Sequence, residues 1–294
     1  MFEGCHVAIV TPFKNGVVDE NKLRALIARQ IQKGINGIIP CGTTGESPTL
    51  SHEEHKRIIE ITVAEIKSAG SHVKVIAGAG SNSTREALEL AQFAESAGAD
   101  AILVITPYYN KPTQKGLILH FEAIAKKVKI PIVLYNVPGR TGVNLEIDTL
   151  IILSQIPGIV ALKEAVGSVD RVSTIVLKTK LEVLSGDDSL TFPMMMVGAH
   201  GVISVSANVV PDLMSQMVSA TLKGDFKTGR ALHQKLFDLN SKLFLETNPI
   251  PVKAALSMMG LIENELRLPL CPMSADKRNI LEAEMKQLGL LEHE

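Results

Sequence analysis

The sequence predicts an α/β protein: a closed (β/α)8 TIM barrel carrying a C-terminal helical extension. Three observations predict it. Short Val- and Ile-rich runs alternate with helical periods, eight such runs can be counted, and beyond Ser206 the strand pattern stops while helices continue. A length of 294 residues suits one large barrel. With 46% hydrophobic and 21% charged residues, the chain has ample apolar surface for a core and is not disordered.

The strand runs fall at residues 7–10, 37–40, 73–77, 101–105, 132–135, 160–163, 182–184 and 202–205. Between them helical periods span residues 20–33, 53–68, 85–97, 115–127, 145–155, 168–177 and 189–197. Apolar residues recur there at three- and four-residue spacing, as in Leu88, Ala91 and Ala94 or Ile59, Val63 and Ile66. Ser51 with Glu54 and Ser83 with Glu86 have capping-box spacing, in which the hydroxyl takes an orphan amide and the carboxylate reaches back. Further helices are expected at residues 212–222, 226–245, 252–259 and 274–288. The barrel needs only one of these to close, so residues 1–224 are assigned to the catalytic barrel and 225–294 to the extension. Asn248-Pro249-Ile250-Pro251, Pro269 and Pro272 punctuate the tail.

Composition narrows the function. Lys and Arg total 30 against 31 Asp and Glu, so there is no cationic excess for nucleic acid or an anionic membrane. Three scattered cysteines, Cys5, Cys41 and Cys271, form neither a disulfide framework nor a zinc pair and point to a reducing cytoplasm. The first residues lack a signal-peptide pattern, and no run approaches the ~18 apolar residues of a membrane span.

In such a barrel the chemistry sits on the loops after the strands. Those loops hold no histidine and few carboxylates, so metal catalysis is not expected, and no cofactor is expected either. His52 and His55 are three apart, not the four of a zinc-protease helix, and Gly78-x-Gly80 lacks the third glycine of a dinucleotide loop. Lys163 ends an otherwise apolar strand, Ile159-Val160-Ala161-Leu162. Two readings are open for it. It is a snorkelling lysine or a structural partner of Glu164, or it is an amine nucleophile, because burial disfavours the charged ammonium and frees the amine to attack a ketone. Tyr135 on the adjacent strand is either a core tyrosine or an acid and base, with Tyr109, Thr43 and Thr44 completing a hydroxyl relay. The amides of Gly42, Thr43 and Thr44 can hold an α-keto acid carboxylate, and Arg140, on a Pro-Gly turn, is a fork for a second one.

Four segments carry a resemblance to a known family: Gly42-Thr43-Thr44-Gly45-Glu46, residues 135–142, Lys163-Glu164-Ala165 and residues 198–204. Together they resemble the dihydrodipicolinate synthases, within the superfamily of pyruvate-dependent class I aldolases and N-acetylneuraminate lyases. The likeness spans nearly the whole chain. It implies that Lys163 forms an iminium with pyruvate, that Tyr135 shuttles protons, and that Thr43 links Tyr135 to a Tyr109 donated by the neighbouring subunit of a homotetramer, a dimer of dimers. It also implies that Thr44 holds the pyruvate carboxylate, that Gly186 and Ile203 line its pocket, and that Arg140 binds the carboxylate of L-aspartate 4-semialdehyde.

Lysine-sensitive members of that family carry an inhibitor site, and the matching positions are Ser47, Pro48, His52, His55, Asn82, Glu86 and Tyr108. Feedback inhibition by L-lysine is the expectation, although Pro48 replaces the more familiar alanine. A sugar-acid lyase would use the same lysine with neutral contacts in place of Arg140. A non-catalytic binding barrel would lack a reactive lysine. A phosphate site near Gly186 and Ser206 lacks a basic residue.

Overall fold

Eight parallel strands form the centre of the computed structural model, which describes residues 1–292. They are β1 (Gly4–Ala8), β2 (Gly37–Ile39), β3 (Lys74–Gly78), β4 (Ala101–Ile105), β5 (Ile132–Asn136), β6 (Ile159–Glu164), β7 (Glu182–Ser185) and β8 (Gly201–Ser204). Strands consecutive in the chain are neighbours, and β8 pairs with β1 to close the barrel. The intervening helices are α1 (Glu20–Gln32), α2 (His52–Ser68), α3 (Thr84–Ala97), α4 (Gln114–Ala125), α5 (Ile147–Leu153), α6 (Val169–Lys178), α7 (Thr191–Met196) and α8 (Pro211–Leu222). The tail adds α9 (Phe226–Lys242), α10 (Ile250–Met258) and α11 (Ala275–Gln287).

Alternation along each strand separates two cores. Inward residues such as Ala8, Ile39, Val133, Ala161, Leu184 and Ile203 fill the barrel together with Phe2. Outward residues such as Val7, Ile38, Leu134, Leu162 and Val183 pack under the helices. The same outer core takes in Leu236, Leu239, Leu243, Val252 and Leu256, so the tail folds back on its own barrel.

Several element bounds differ from expectation. β1 starts three residues earlier than residues 7–10, because His6 is buried and its Nε2 donates to the Phe2 carbonyl at 2.8 Å. The helix expected at 145–155 shrinks to α5, preceded by a single turn, Pro138–Thr141. The helix expected at 189–197 becomes a 3-10 turn, Asp188–Leu190, followed by α7. A hairpin of Phe13–Lys14 with Val17–Val18 was not among the expected elements. Its signal is local: Asn15 and Gly16 take φ values of 54° and 80°, the left-handed pair that Asn-Gly adopts most readily. Ser51 and Glu54 make the full capping box. At Ser83 only half of it forms, because the Glu86 carboxylate turns instead to Ser81 Oγ and His52. Among the described residues, no helix is long and apolar enough to cross a membrane.

Candidate active site

Lys163 lies on the inward face of β6, two residues beyond Ala161, and is 5% exposed. Register pairs it directly with Tyr135 on β5, and its Nζ sits 4.3 Å from the centre of the Tyr135 ring. Glu164 faces the opposite way, as alternation requires. Its carboxylate binds Arg171 Nε at 3.0 Å and Asn136 Nδ2 at 3.1 Å. The structural pairing of Lys163 with Glu164 is therefore absent, and among the described residues Lys163 has no carboxylate partner. Burial raises the Glu164 carboxyl pKa, and Arg171 opposes that shift.

Room for the Lys163 side chain comes from Gly186, at the end of β7. A Cβ there would stand 3.1 Å from Lys163 Cε and 2.7 Å from Ala165 Cβ, so any other residue would crowd the amine. The Gly186 amide is spent on the Glu164 carbonyl at 2.8 Å.

Above β2 the chain makes a tight turn through Gly42 to Glu46. Its internal bonds use the amides of Gly45, Glu46 and Ser47, not those of Gly42, Thr43 and Thr44. Glu46 closes the turn at φ 55°, a strained value for a residue with a side chain. Its carboxylate is held at both oxygens, by Lys253 Nζ at 2.5 Å and by the Arg267 amide at 3.1 Å. Thr44 is buried, and its hydroxyl accepts from Asn248 Nδ2 at 3.0 Å. Arg140 is exposed, and its Nη2 donates to the Asn248 carbonyl at 3.2 Å. One tail residue thus touches both groups expected to take carboxylates.

These groups enclose a cleft of ≈ 260 Å³ between the barrel mouth and the tail, lined by Thr43, Thr44, Tyr135, Arg140, Lys163 and Gly186. Asp187, Asn240, Ser241, Phe244 and Asn248 also line it and were not among the expected site residues. The tail positions could be found only once the tail was known to fold back over the strand ends; the available cue, Asn248-Pro249, reads simply as a helix break. Ile203 is 1% exposed inside the barrel, and Val205 forms the cleft wall at that strand end. Tyr109 is 89% exposed at φ 71° on the loop after β4 and lines none of the three cavities at the barrel mouth.

A neighbouring cavity of ≈ 240 Å³ shares Thr43, Tyr135 and Arg140 and reaches Ser47, Pro48 and Tyr108. Beyond it lies a third, of ≈ 250 Å³, lined by Ser47, Pro48, His52, His55, Glu86 and Tyr108. Asn82 is not among its lining residues; its carbonyl accepts from Asn110 Nδ2 at 2.9 Å. His52 Nε2 meets the Glu86 carboxylate at 2.9 Å. His55 donates through Nε2 to the Gly78 carbonyl at 2.7 Å. Burial lowers its pKa, so it stays neutral with Nδ1 as an acceptor. Cys41 Sγ donates to the His55 carbonyl at 3.4 Å, and burial pushes its thiol pKa up, which leaves it inert packing.

Residues 1–288 match the model of the dihydrodipicolinate synthetase family. A 4-hydroxy-tetrahydrodipicolinate synthase of Methanocaldococcus jannaschii is 54% identical over 292 residues, covering 99% of this chain and 100% of its own. The solved chloride-inhibited dihydrodipicolinate synthase of Acinetobacter baumannii, complexed with pyruvate, is 46% identical with a TM-score of 0.95, covering 99% of this chain and 100% of that one. The enzyme of Cyanidioschyzon merolae, solved with lysine bound, is 39% identical with a TM-score of 0.95, covering 99% of each chain.

Proposed function

The chain belongs to the dihydrodipicolinate synthetase family, and on that premise we propose that it condenses pyruvate with L-aspartate 4-semialdehyde through a Schiff base on Lys163, giving 4-hydroxy-tetrahydrodipicolinate for lysine and diaminopimelate biosynthesis. The observation that carries this reading is Lys163 itself, a buried amine with no carboxylate partner among the described residues, in a cleft shared with Arg140.

The Lys163 amine adds to the pyruvate ketone, and loss of water gives the iminium. Removal of a methyl proton gives the enamine, whose carbon attacks the aldehyde. The acceptor's own amine then adds to the iminium carbon, closes the ring and expels Lys163. Tyr135, against the Lys163 amine, passes the protons. Thr44 and the uncommitted amides of its turn hold the pyruvate carboxylate, and Arg140 holds that of the acceptor. Gly186 and Ile203 bound the pyruvate end. This arginine supports an acidic acceptor over the polyol of a sugar-acid lyase.

Tyr109 completes the relay through Thr43 in a neighbouring subunit of a homotetramer, a role consistent with its exposure. L-lysine binds the His52, His55 and Glu86 cavity as feedback inhibitor, in line with the lysine-bound relative. Free thiols at Cys5, Cys41 and Cys271 suit a cytoplasmic enzyme.

The test is borohydride reduction with pyruvate, followed by peptide mass spectrometry and by assay with the semialdehyde, with and without millimolar lysine. A pyruvate adduct on Lys163 together with turnover is expected. An unmodified Lys163 would refute the Schiff-base reading, and an adduct without turnover would move the function to another pyruvate-dependent aldolase.

A further inference from the structure

Three charged side chains line the cleft among the described residues: Lys163, Arg140 and Asp187. The reaction above uses the first two and leaves the third without a role. Its neighbour Asp188 is structural, buried with its Oδ2 accepting from the amides of Val205 at 2.9 Å and Ser206 at 3.0 Å. Asp187 is partly exposed on the cleft wall instead.

Asp187 caps the short 3-10 turn with one oxygen only. Its Oδ1 accepts both the Ser189 amide at 3.0 Å and the Ser189 hydroxyl at 2.8 Å. Among the described residues its Oδ2 takes no hydrogen bond and its carboxylate pairs with no cation. The backbone beneath is fixed, since Ser185 Oγ donates to the Asp187 carbonyl at 2.7 Å and Thr191 Oγ1 donates to it at 3.0 Å. The residue before it is Gly186, the one that abuts Lys163 Cε. A carboxylate with one open oxygen, on a fixed stretch of backbone, therefore lines the same cleft as the reacting lysine.

A ligand that fills this cleft strips water from that carboxylate. If the ligand places a cationic nitrogen there, the lost hydration is replaced by a charge-assisted hydrogen bond; if not, the charge is left unpaired. We propose that Asp187 receives the α-ammonium of the acceptor aldehyde and makes the cleft selective for an amino-acid semialdehyde over its amine-free analogue. The inference rests on the acceptor reading above. Arg140 and Asp187 then divide one α-amino-acid end between them, carboxylate to one and ammonium to the other. The nitrogen that closes the ring is held there as the ammonium and gives up a proton to the Tyr135 relay before its lone pair adds to the iminium carbon.

The experiment uses full-length Asp187→Asn, which keeps Oδ1 for the cap and removes the charge. Rates with pyruvate and L-aspartate 4-semialdehyde are measured alongside competitive inhibition by 4-oxobutanoate, the same aldehyde without its amine. The expected result is a KM for the semialdehyde raised about tenfold to a hundredfold. The 4-oxobutanoate inhibition constant, the pyruvate KM and borohydride trapping on Lys163 should hold. Equal loss for both aldehydes, or no change for either, overturns the assignment. Ser189→Ala, which removes the hydroxyl bond of the cap, should keep the preference for the aminated aldehyde; loss of that preference would mean that the cap is what matters. Wild-type protein that traps pyruvate but turns over no semialdehyde would defeat the acceptor reading and this inference together. Wild-type turnover combined with an Asp187→Asn effect that falls equally on both aldehydes, or on neither, would defeat the inference alone.

Discussion

Lys253 Nζ and Glu46 Oε1 stand 2.5 Å apart with both side chains wholly buried, and this ion pair locks the tail of the chain to the turn that carries Thr43 and Thr44. Two cations lie against the Phe13 ring, Lys253 Nζ at 4.3 Å and the Arg267 guanidinium at 4.4 Å from its centre. Arg267 continues the clamp by pairing with Glu54 at 2.5 Å and donating to the Thr49 carbonyl at 2.9 Å. Its guanidinium holds the Glu54 carboxyl down to about 2. Burial lowers the Lys253 pKa, and Glu46 is the main group that opposes the shift.

Removing one partner of such a pair strands the other charge in the interior. Lys253→Met is expected to lose about 3–5 kcal/mol of stability, and Glu46→Gln a similar amount. The double variant should recover part of the loss. Urea unfolding of the three variants reads the coupling directly, and additive losses would show that the two groups do not act as a pair.

Arg140→Ala should raise the KM for the semialdehyde by about 1–3 kcal/mol of lost charge-assisted hydrogen bonding. Pyruvate trapping on Lys163 should be unaffected. If pyruvate binding suffers instead, the two carboxylates have been assigned to the wrong ends of the cleft.

Tyr109→Phe and Lys163→Ala should each lower turnover by orders of magnitude. Mixed and reassembled, the two inactive chains should regain activity, because a hybrid contains one site with an intact Lys163 and a Tyr109 from the other chain. Activity that stays absent in verified hybrids would place Tyr109 outside its partner's site.

Glu86→Gln should weaken inhibition by L-lysine about tenfold to a hundredfold, since it removes the carboxylate that would meet the effector's ammonium. The pyruvate KM should not move. Undiminished inhibition would relocate the effector.

Burial pushes His6 and His120 down to a pKa of about 4, so both are neutral in the fold at pH values where the unfolded chain, near ~6.5, is protonated. Their stabilising contribution is complete above ~6.5 and is lost as pH falls from there toward 4, with uptake of about two protons on unfolding. Calorimetry should show Tm falling across that window, and His120→Gln should flatten the slope. A flat wild-type profile between those limits would contradict the buried neutral state.

Much of the site was legible because a parallel barrel converts order along the chain into position in space. Lys163 and Tyr135 end consecutive apolar runs, and consecutive strands are neighbours, so their proximity follows from the count alone. Alternation likewise sends Glu164 outward from Lys163, although adjacency in the sequence had left their pairing open. The tail resisted the same logic. Nothing in the pattern of residues 225–292 says which surface it covers, so Asn248 at the cleft, Lys253 at Glu46 and Arg267 at Glu54 emerge only from the docked structure.

Sequence alone therefore determined what local periodicity and residue chemistry can encode: eight strands, their helices, a lysine and a tyrosine at strand ends, and an arginine on the turn beyond one of them. Tertiary structure decided which carboxylates are spent and which are open. Glu46, Glu164 and Asp188 are bound up in buried contacts, while Asp187, on the cleft wall, has one oxygen without a partner among the described residues. The reason is physical: whether a polar atom is available depends on long-range partners that only packing supplies.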